Sequence, residues 1–338
     1  MSSAHYEPLA ILSLCVYFTL TVELAYGDGD LLSRSKREAP KRTCDMKFCV
    51  LGTHTACMQR SEKVTKTGIS DKDKKFIVEE HNRYRSAVQP TATNMMKMSW
   101  DDEVAHIAQV WAETCQFEHD KSRAIPGRFS VGQNLAKGQR TWEQAMSDWH
   151  SEIKDFEYGT RSNRVGHFTQ MVWASSIKIG CGYAECGTDR MFVCNYGPAG
   201  NVNGQQPFEK GKSCEACPGR CTDNLCDCGR KVCLNGGTMN LETCECKCEK
   251  KFHVPPACGL DCSLVNEPSY CGEGSHDWLG CQRYYNVPYT CPITCRTCPS
   301  DIWDDFDCGT DHGNTPGSSI MLIFGIITLS AFLSVLFS

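Results

Sequence analysis

Several chemistries are missing from these 338 residues. No GxGxxG run or phosphate-binding loop occurs, so no glycine-rich backbone is available to cradle a nucleotide. Positive charge is scarce, with 35 Lys and Arg against 40 Asp and Glu for a net charge of −5. A nucleic-acid surface must neutralise phosphates, and no basic helix is present to do so, which excludes that class of partner. No Asn-x-Ser/Thr triplet exists, which excludes N-linked glycan. Apolar residues make up 41% of the chain, too many for global disorder, and the long apolar runs are confined to the ends, which excludes a multi-span membrane protein. No serine or cysteine sits with a base and an orienting partner in a recognisable nucleophile context.

Cysteine is what the chain has in excess. There are 25, and 17 of them fall between Cys214 and Cys308. Reduced, that cluster would be a liability, so an oxidising compartment and a disulfide framework are expected. Zinc ribbons are the competing reading of such spacings, and the chain's secretory start argues against them. That start is an apolar run from Leu9 to Val22, followed by the small residues Ala25-Tyr26-Gly27. The expectation is a signal peptide over residues 1–27, although no Lys or Arg precedes the run. Residues 28–43 form a basic linker or propeptide in which Arg34-Ser35-Lys36-Arg37 matches processing-protease sites.

The other end is apolar from Ile320 to Phe337 with no basic residue after it. A stop-transfer helix normally keeps Lys or Arg on its cytoplasmic side. Small residues upstream and a polar spacer give the layout of a glycosylphosphatidylinositol (GPI) signal, with the lipid on Gly309, or on Asp311 or Asn314. Residues 300–319 would then be the spacer carrying the attachment site, and 320–338 a tail that is removed.

Residues 72–212 have the composition of a mixed α/β domain of sufficient size to bury its own core. Phe76 to Val88 predicts a helix ending near Pro90. Ser99-Trp100-Asp101-Asp102 and Thr141-Trp142-Glu143-Gln144 predict two helix starts. Val104, Ile107, Ala108, Trp111 and Cys115 follow the first at helical spacing, and Trp142, Met146, Trp149 and Ile153 line the second. From Phe168 onward FTQMVW and MFVCNY predict strands, with turns at Gly180, Gly187 and Gly197.

GHFTQMVWASS from Gly166 and FVCNYGPAGNVNG from Phe192 resemble the two signature motifs of the CAP superfamily of cysteine-rich secretory, antigen five and pathogenesis-related proteins. HNRYR from His81, SWDDEVAHIAQVWAETC from Ser99 and GQNLA from Gly132 fit the same family in order and spacing. The resemblance spans Phe76 to Phe208 and implies an α+β fold, a CAP α-β-α sandwich followed by small disulfide-rich modules. Residues 44–71 resemble the N-terminal arm of antigen five. Residues 213–227 resemble the hinge of cysteine-rich secretory proteins, 228–259 an EGF-like module without an acidic calcium pair, and 260–299 a ShKT module.

That resemblance proposes a pairing. It joins Cys44 to Cys57, Cys115 to Cys186 and Cys181 to Cys194, then Cys214 to Cys221 and Cys217 to Cys226 in the hinge. The EGF-like module would close through Cys228–Cys244, Cys233–Cys246 and Cys248–Cys258. The ShKT-like module would close through Cys262–Cys298, Cys271–Cys291 and Cys281–Cys295. Cys15 leaves with the signal peptide, so Cys49 and Cys308 remain, either bridged to each other or offering a thiol to another chain.

CAP proteins carry two histidines and two acidic residues in a central cleft, and by motif these positions fall on His119, Gln133, Glu152 and His167. Two imidazoles and a carboxylate make an open three-ligand zinc site, while Gln133 replaces the carboxylate that would add a general base. No cofactor is required, and zinc is the candidate cation. The ShKT resemblance implies a contact surface of Arg283, Tyr284, Tyr285 and Tyr289; lacking the toxin lysine, it suits protein contact better than a pore plug. The expectation is a non-enzymatic, GPI-anchored cell-surface recognition protein whose partners are extracellular proteins, with egg coats the family's suggestion. An endoprotease and an ion-channel modulator are the alternatives.

Overall fold

The computed structural model describes residues 42, 44–49, 51, 53–160, 162–284 and 286–298. The signal peptide, the Arg34–Arg37 site, Gly309, Asp311, Asn314, the 320–338 tail, Tyr285 and the Arg283 side chain lie outside this description. Among the described residues no helix is long and apolar enough to cross a membrane.

Five strands form one sheet: β1 (Val64–Thr67), β2 (Ser99–Trp100), β3 (Gly132–Lys137), β4 (Lys178–Cys186) and β5 (Asp189–Gly197). Their order is β1-β4-β5-β3, with β2 pairing parallel to β4 and every other pair antiparallel. β4 and β5 are buried along nearly their whole length, so helices must cover both faces. Helix α2 (Asp102–Thr114) lies on one face with Ala108, Trp111 and Ala112 against Ala184, Met191 and Val193. Helices α1 (Asp71–Ser86), α3 (Trp142–His150) and α4 (Gly166–Met171) cover the other, where Ile77, Tyr84, Trp142, Met146, Phe168 and Met171 meet Phe192 and Tyr196. The result is the expected α-β-α sandwich.

Local signals and outcomes differ at four places. α1 begins five residues before Phe76 because the Ser70 hydroxyl accepts from the Asp73 N–H, and Asp71 and Asp73 suit the positive end of the helix dipole. That first turn is polar and carries no apolar period. α2 is capped by Asp101, which accepts from the Val104 N–H, while Ser99 and Trp100 are drawn into β2. Gly180 is no turn: it sits inside β4, where a Cβ would fall 2.1 Å from the Ala105 nitrogen, so its bare Cα lets α2 rest directly on the sheet. FTQMVW is helical through Met171 rather than extended, for a reason given by the cleft below.

Arg85 of α1 is fully buried and, among the described residues, has no carboxylate partner. Its five N–H donors meet backbone carbonyls instead: Met96 twice at 3.0 and 2.6 Å, Met171 at 3.0 Å, Trp173 at 2.7 Å and Ala174 at 2.9 Å. Burial lowers its pKa to about 9, which leaves it charged at neutral pH.

The eleven disulfides closed among the described residues are the eleven pairs named above. Beyond residue 213 they take over from apolar packing. Regular structure there shrinks to short ribbons such as Thr238–Asn240 with Glu245–Lys247, and to the helical turns Trp278–Arg283 and Val287–Thr290. The last module's buried cluster holds only Val287, Cys291 and Cys295. At about 2–4 kcal/mol per bridge, cross-linking can stabilise segments this small. The modules dock on the sandwich at the 128–130 loop, where Asn235 N–H donates to the Arg128 carbonyl at 2.6 Å and Ser130 N–H donates to the Tyr289 hydroxyl at 2.9 Å, and at β4, where Lys178 Nζ donates to the Arg230 carbonyl.

Replacing Arg85 with alanine would strip the buried Met96 and Met171 carbonyls of their donor and leave those of Trp173 and Ala174 with only the Ser176 and Met96 N–H groups. We expect a loss of at least about 3 kcal/mol in denaturant unfolding, with secondary structure at low denaturant unchanged.

Candidate functional site

The cleft is assembled around β3, an edge strand. Gln133 lies on it opposite Asn195 of β5. His119 lies on the loop that follows α2, a helix ended by Cys115 in the left-handed region at φ 60° and bridged there to Cys186 at the end of β4. Trp111 Nε1–H donates to the Glu118 carbonyl at 3.0 Å and fixes the loop one residue before His119. Glu152 sits on the single turn Ser151–Asp155 that follows α3, and His167 on the first turn of α4.

These four residues form two oriented pairs. Gln133 Oε1 accepts from the His119 ring nitrogen Nδ1 at 3.2 Å and from the Asp120 N–H at 3.0 Å, while Gln133 Nε2 donates to Asn195 Oδ1 at 3.1 Å. Glu152 Oε1 accepts from His167 Nδ1 at 2.6 Å, and its Oε2 accepts the backbone N–H groups of His167 at 2.8 Å and Phe168 at 3.1 Å. The carboxylate thus takes the free N–H groups at the start of α4, which is why FTQMVW folds as a helix. Burial alone would raise the Glu152 pKa, but the His167 ring and the backbone donors hold it below the ordinary glutamate value. Burial lowers the His119 pKa, only partly offset by Gln133, and the His167 charge adds to the depression.

The carboxylate of the expected zinc site also serves the fold: both Glu152 oxygens accept hydrogen bonds from α4 and its His167 imidazole. Among the described residues, the one cluster of three ligand atoms within metal-binding reach is Cys214, Cys217 and Cys226, and these are closed in hinge disulfides. What remains in the cleft is a pair of imidazoles, each engaged at Nδ1 and each presenting Nε2. A histidine held at one ring nitrogen by a hydrogen bond, with the other nitrogen free, is oriented as metal-binding histidines are. Among the described residues, neither imidazole has a serine, threonine or cysteine side chain as a hydrogen-bond partner.

A buried polar network behind the cleft went unread in the sequence. His81 Nε2 contacts the Tyr196 hydroxyl at 3.0 Å, Asn134 Nδ2 donates to that hydroxyl at 3.2 Å, and the same amide donates to the His167 carbonyl at 3.0 Å. The arm holds the His119 loop from outside. Thr55 Oγ1 donates to Asp120 Oδ1 at 2.6 Å, and the His54 ring meets the Ala124 carbonyl at 2.7 Å. Only the motif positions of His81 and Asn134 hinted at this, since their partners are 115 and 62 residues away. Of the expected contact tyrosines, Tyr284 is exposed, whereas Tyr289 is turned inward onto Ser130.

Residues 78–196 match the CAP family, described as the cysteine-rich secretory protein family. Cysteine-rich venom protein Mr30 of Conus marmoreus is 36% identical over 277 residues, covering 77% of this chain and 92% of that one. Cysteine-rich secretory protein 3 of Homo sapiens is 40% identical over 205 residues, covering 56% and 82%. A crystal structure of NaASP2 with Zn2+ aligns at a TM-score of 0.42 and 32% identity, covering 47% of this chain and 97% of that one. The chain belongs to the cysteine-rich secretory protein family.

Because the Glu152 pKa is depressed in the folded state, its stabilising contribution is complete above the ordinary glutamate value of 4.5 and fades as pH falls below it. We expect Glu152→Gln to flatten the fall of melting temperature below pH 4.5 relative to the parent chain. An unchanged pH profile would show that the carboxylate does not hold α4 as described.

Proposed function

We propose that this protein acts outside the cell as a non-catalytic recognition protein, tethered by a GPI anchor and binding extracellular or cell-surface proteins. The observation that carries the reading is the closed hydrogen bonding of the cleft: Glu152 and Gln133 spend their polar atoms on holding two imidazoles and a helix start. Each imidazole keeps Nε2 as a base, but among the described residues neither hydrogen-bonds a serine, threonine or cysteine side chain that it could activate. Relatives named as secretory and venom proteins, and eleven disulfides, support an extracellular setting.

A recognition surface lies beside the cleft. Residues 198–209 face the 228–258 module across a groove of about 1450 Å³, lined in part by Trp173, Phe208, Met239 and Leu241. It is larger than pockets shaped for small molecules and mixes aromatic, Met and polar groups, as protein contacts do. Egg-coat protein is the partner class that the family resemblance favours, and a lipid anchor would suit display on a gamete membrane. A divalent cation, zinc first, would bind between His119 and His167, where it would hold the two cleft walls together.

Cells expressing the full chain should release it on treatment with phosphatidylinositol-specific phospholipase; retention would overturn the anchor. Titration calorimetry should show zinc binding that is lost in His119→Ala/His167→Ala. If that double variant abolished cleavage of a peptide library by the parent protein, the non-catalytic reading would fall. Egg-coat extract should retain the parent chain more strongly than extracts of other tissues.

A further inference from the structure

We propose that the groove between the 121–131 loop, the arm and the 262–298 module binds an amphipathic organic anion, its acid group on Arg123 and Lys121 and its apolar body against Ile125, Phe129 and Trp278. The site is independent of the recognition function and of the lipid anchor, and none of His119, Gln133, Glu152 and His167 lines it.

The anion is called for by Arg123, which is only partly satisfied. Arg85 spends all of its N–H donors on carbonyls. Arg123, partly buried on the groove wall, spends one, its Nε–H donating to the Val131 carbonyl at 2.6 Å. Among the described residues its Nη donors meet no acceptor. The Asp120 charge acts on it, but that carboxylate is buried, does not line the groove, and accepts at Oδ1 from Thr55 Oγ1 at 2.6 Å and from the Ser122 N–H at 2.8 Å. Burial lowers the Arg123 pKa, as expected of a cation drawn from water without full compensation. Its planar fork matches two oxygens of one acid group. The exposed Lys121 lines the same groove, and the Arg296 guanidinium stacks over the Trp278 ring at 4.2 Å. No carboxylate is in the lining. In a chain of net charge −5, this is a local field that favours a negative ligand.

The rest of the lining asks for an apolar body. Ile125 and Phe129 are buried on the loop side, and Trp278 and Pro288 belong to the module side. The two sides are joined where the Ser130 N–H donates to the Tyr289 hydroxyl at 2.9 Å. Leu279, 66% exposed, and Tyr284, 42% exposed, line the same groove. Isolated exposed apolar residues are ordinary, but two beside one apolar groove mark a surface that is covered in use. The groove holds about 600 Å³, the scale of pockets that take small organic ligands, whereas the groove of about 1450 Å³ beside the cleft exceeds it. An inorganic anion would leave the apolar walls bare, and a neutral hydrocarbon would leave the guanidinium unpaired. A molecule with one acid group on an apolar body answers both demands.

Fluorescence titration of the full chain, secreted by eukaryotic cells, with anilinonaphthalene sulfonate tests the site. Saturable binding is expected, displaced by decanoate but not by decanol, decyltrimethylammonium or inorganic phosphate at the same concentration. Arg123→Gln should weaken dye binding at least about tenfold, because a hydrogen-bonded charge pair is lost. Should that variant not be secreted, Leu279→Glu places a carboxylate on an exposed position of the lining and should weaken binding by a similar factor. Absence of saturable binding, or dye binding unchanged in these variants, would overturn the site. Displacement by decanol or decyltrimethylammonium as strong as by decanoate would overturn the anion requirement, and equal displacement by phosphate would overturn the apolar one.

Discussion

The organisation of the sandwich depends on one buried cation. Arg85 is placed by α1 where, among the described residues, no carboxylate pairs with it, and its charge is met by five bonds to carbonyl dipoles from two stretches of chain. An isolated charge in an apolar interior is costly enough that it persists only when all its donors are used. That requirement sets the path of residues 171–174, which leave α4 and lead into β4. It also sets residue 96, beside which the hinge attaches: Cys226 N–H donates to the Met95 carbonyl, and Lys97 N–H to the Cys226 carbonyl. One guanidinium thus ties a helix to the exit of the cleft and to the foot of the cysteine-rich modules.

From that frame the cleft follows. Glu152 reaches the start of α4 because α3 and its terminal turn pack against α1 and α4 in a common core. Gln133 reaches His119 because Cys115–Cys186 and Trp111 hold the returning loop. Each imidazole is oriented from behind by a group that is itself oriented.

The loop that carries His119 also carries the modules. Arg128 binds Asp101, the cap of α2, at 2.6 Å, and Glu103 at 2.5 Å, while its own carbonyl accepts from Asn235. Burial would lower the Arg128 pKa, but the two carboxylates more than offset it, so the pairing holds at neutral pH. A change at the module surface therefore has a short covalent and hydrogen-bonded route to the cleft. The arm adds His54 and Thr55 to the same loop, so cleft, arm and modules share one support.

Much of this was legible in the sequence. Cysteine number and order, read through a family resemblance, named eleven bridges, because spacing between crosslinks is a covalent property that survives in linear order. Helical periodicity located α2 and α3, since Val104, Ile107 and Trp111 must share a face. The motif positions named His119, Gln133, Glu152 and His167. What the sequence could not carry was the direction in which each polar atom is spent. Glu152 reads as a cleft carboxylate, and only the fold shows that both its oxygens accept from α4 and His167. FTQMVW reads as a strand until that carboxylate caps it. Gly180 reads as a turn until α2 lies across it, and nothing in the HNRYR motif tells that four carbonyls surround Arg85. Each of these outcomes depends on groups distant in the chain that only folding brings within hydrogen-bonding distance. Residue types and bridges belong to the sequence; the roles of its polar groups are decided by tertiary contact, because a hydrogen bond's worth depends on which partner burial leaves it.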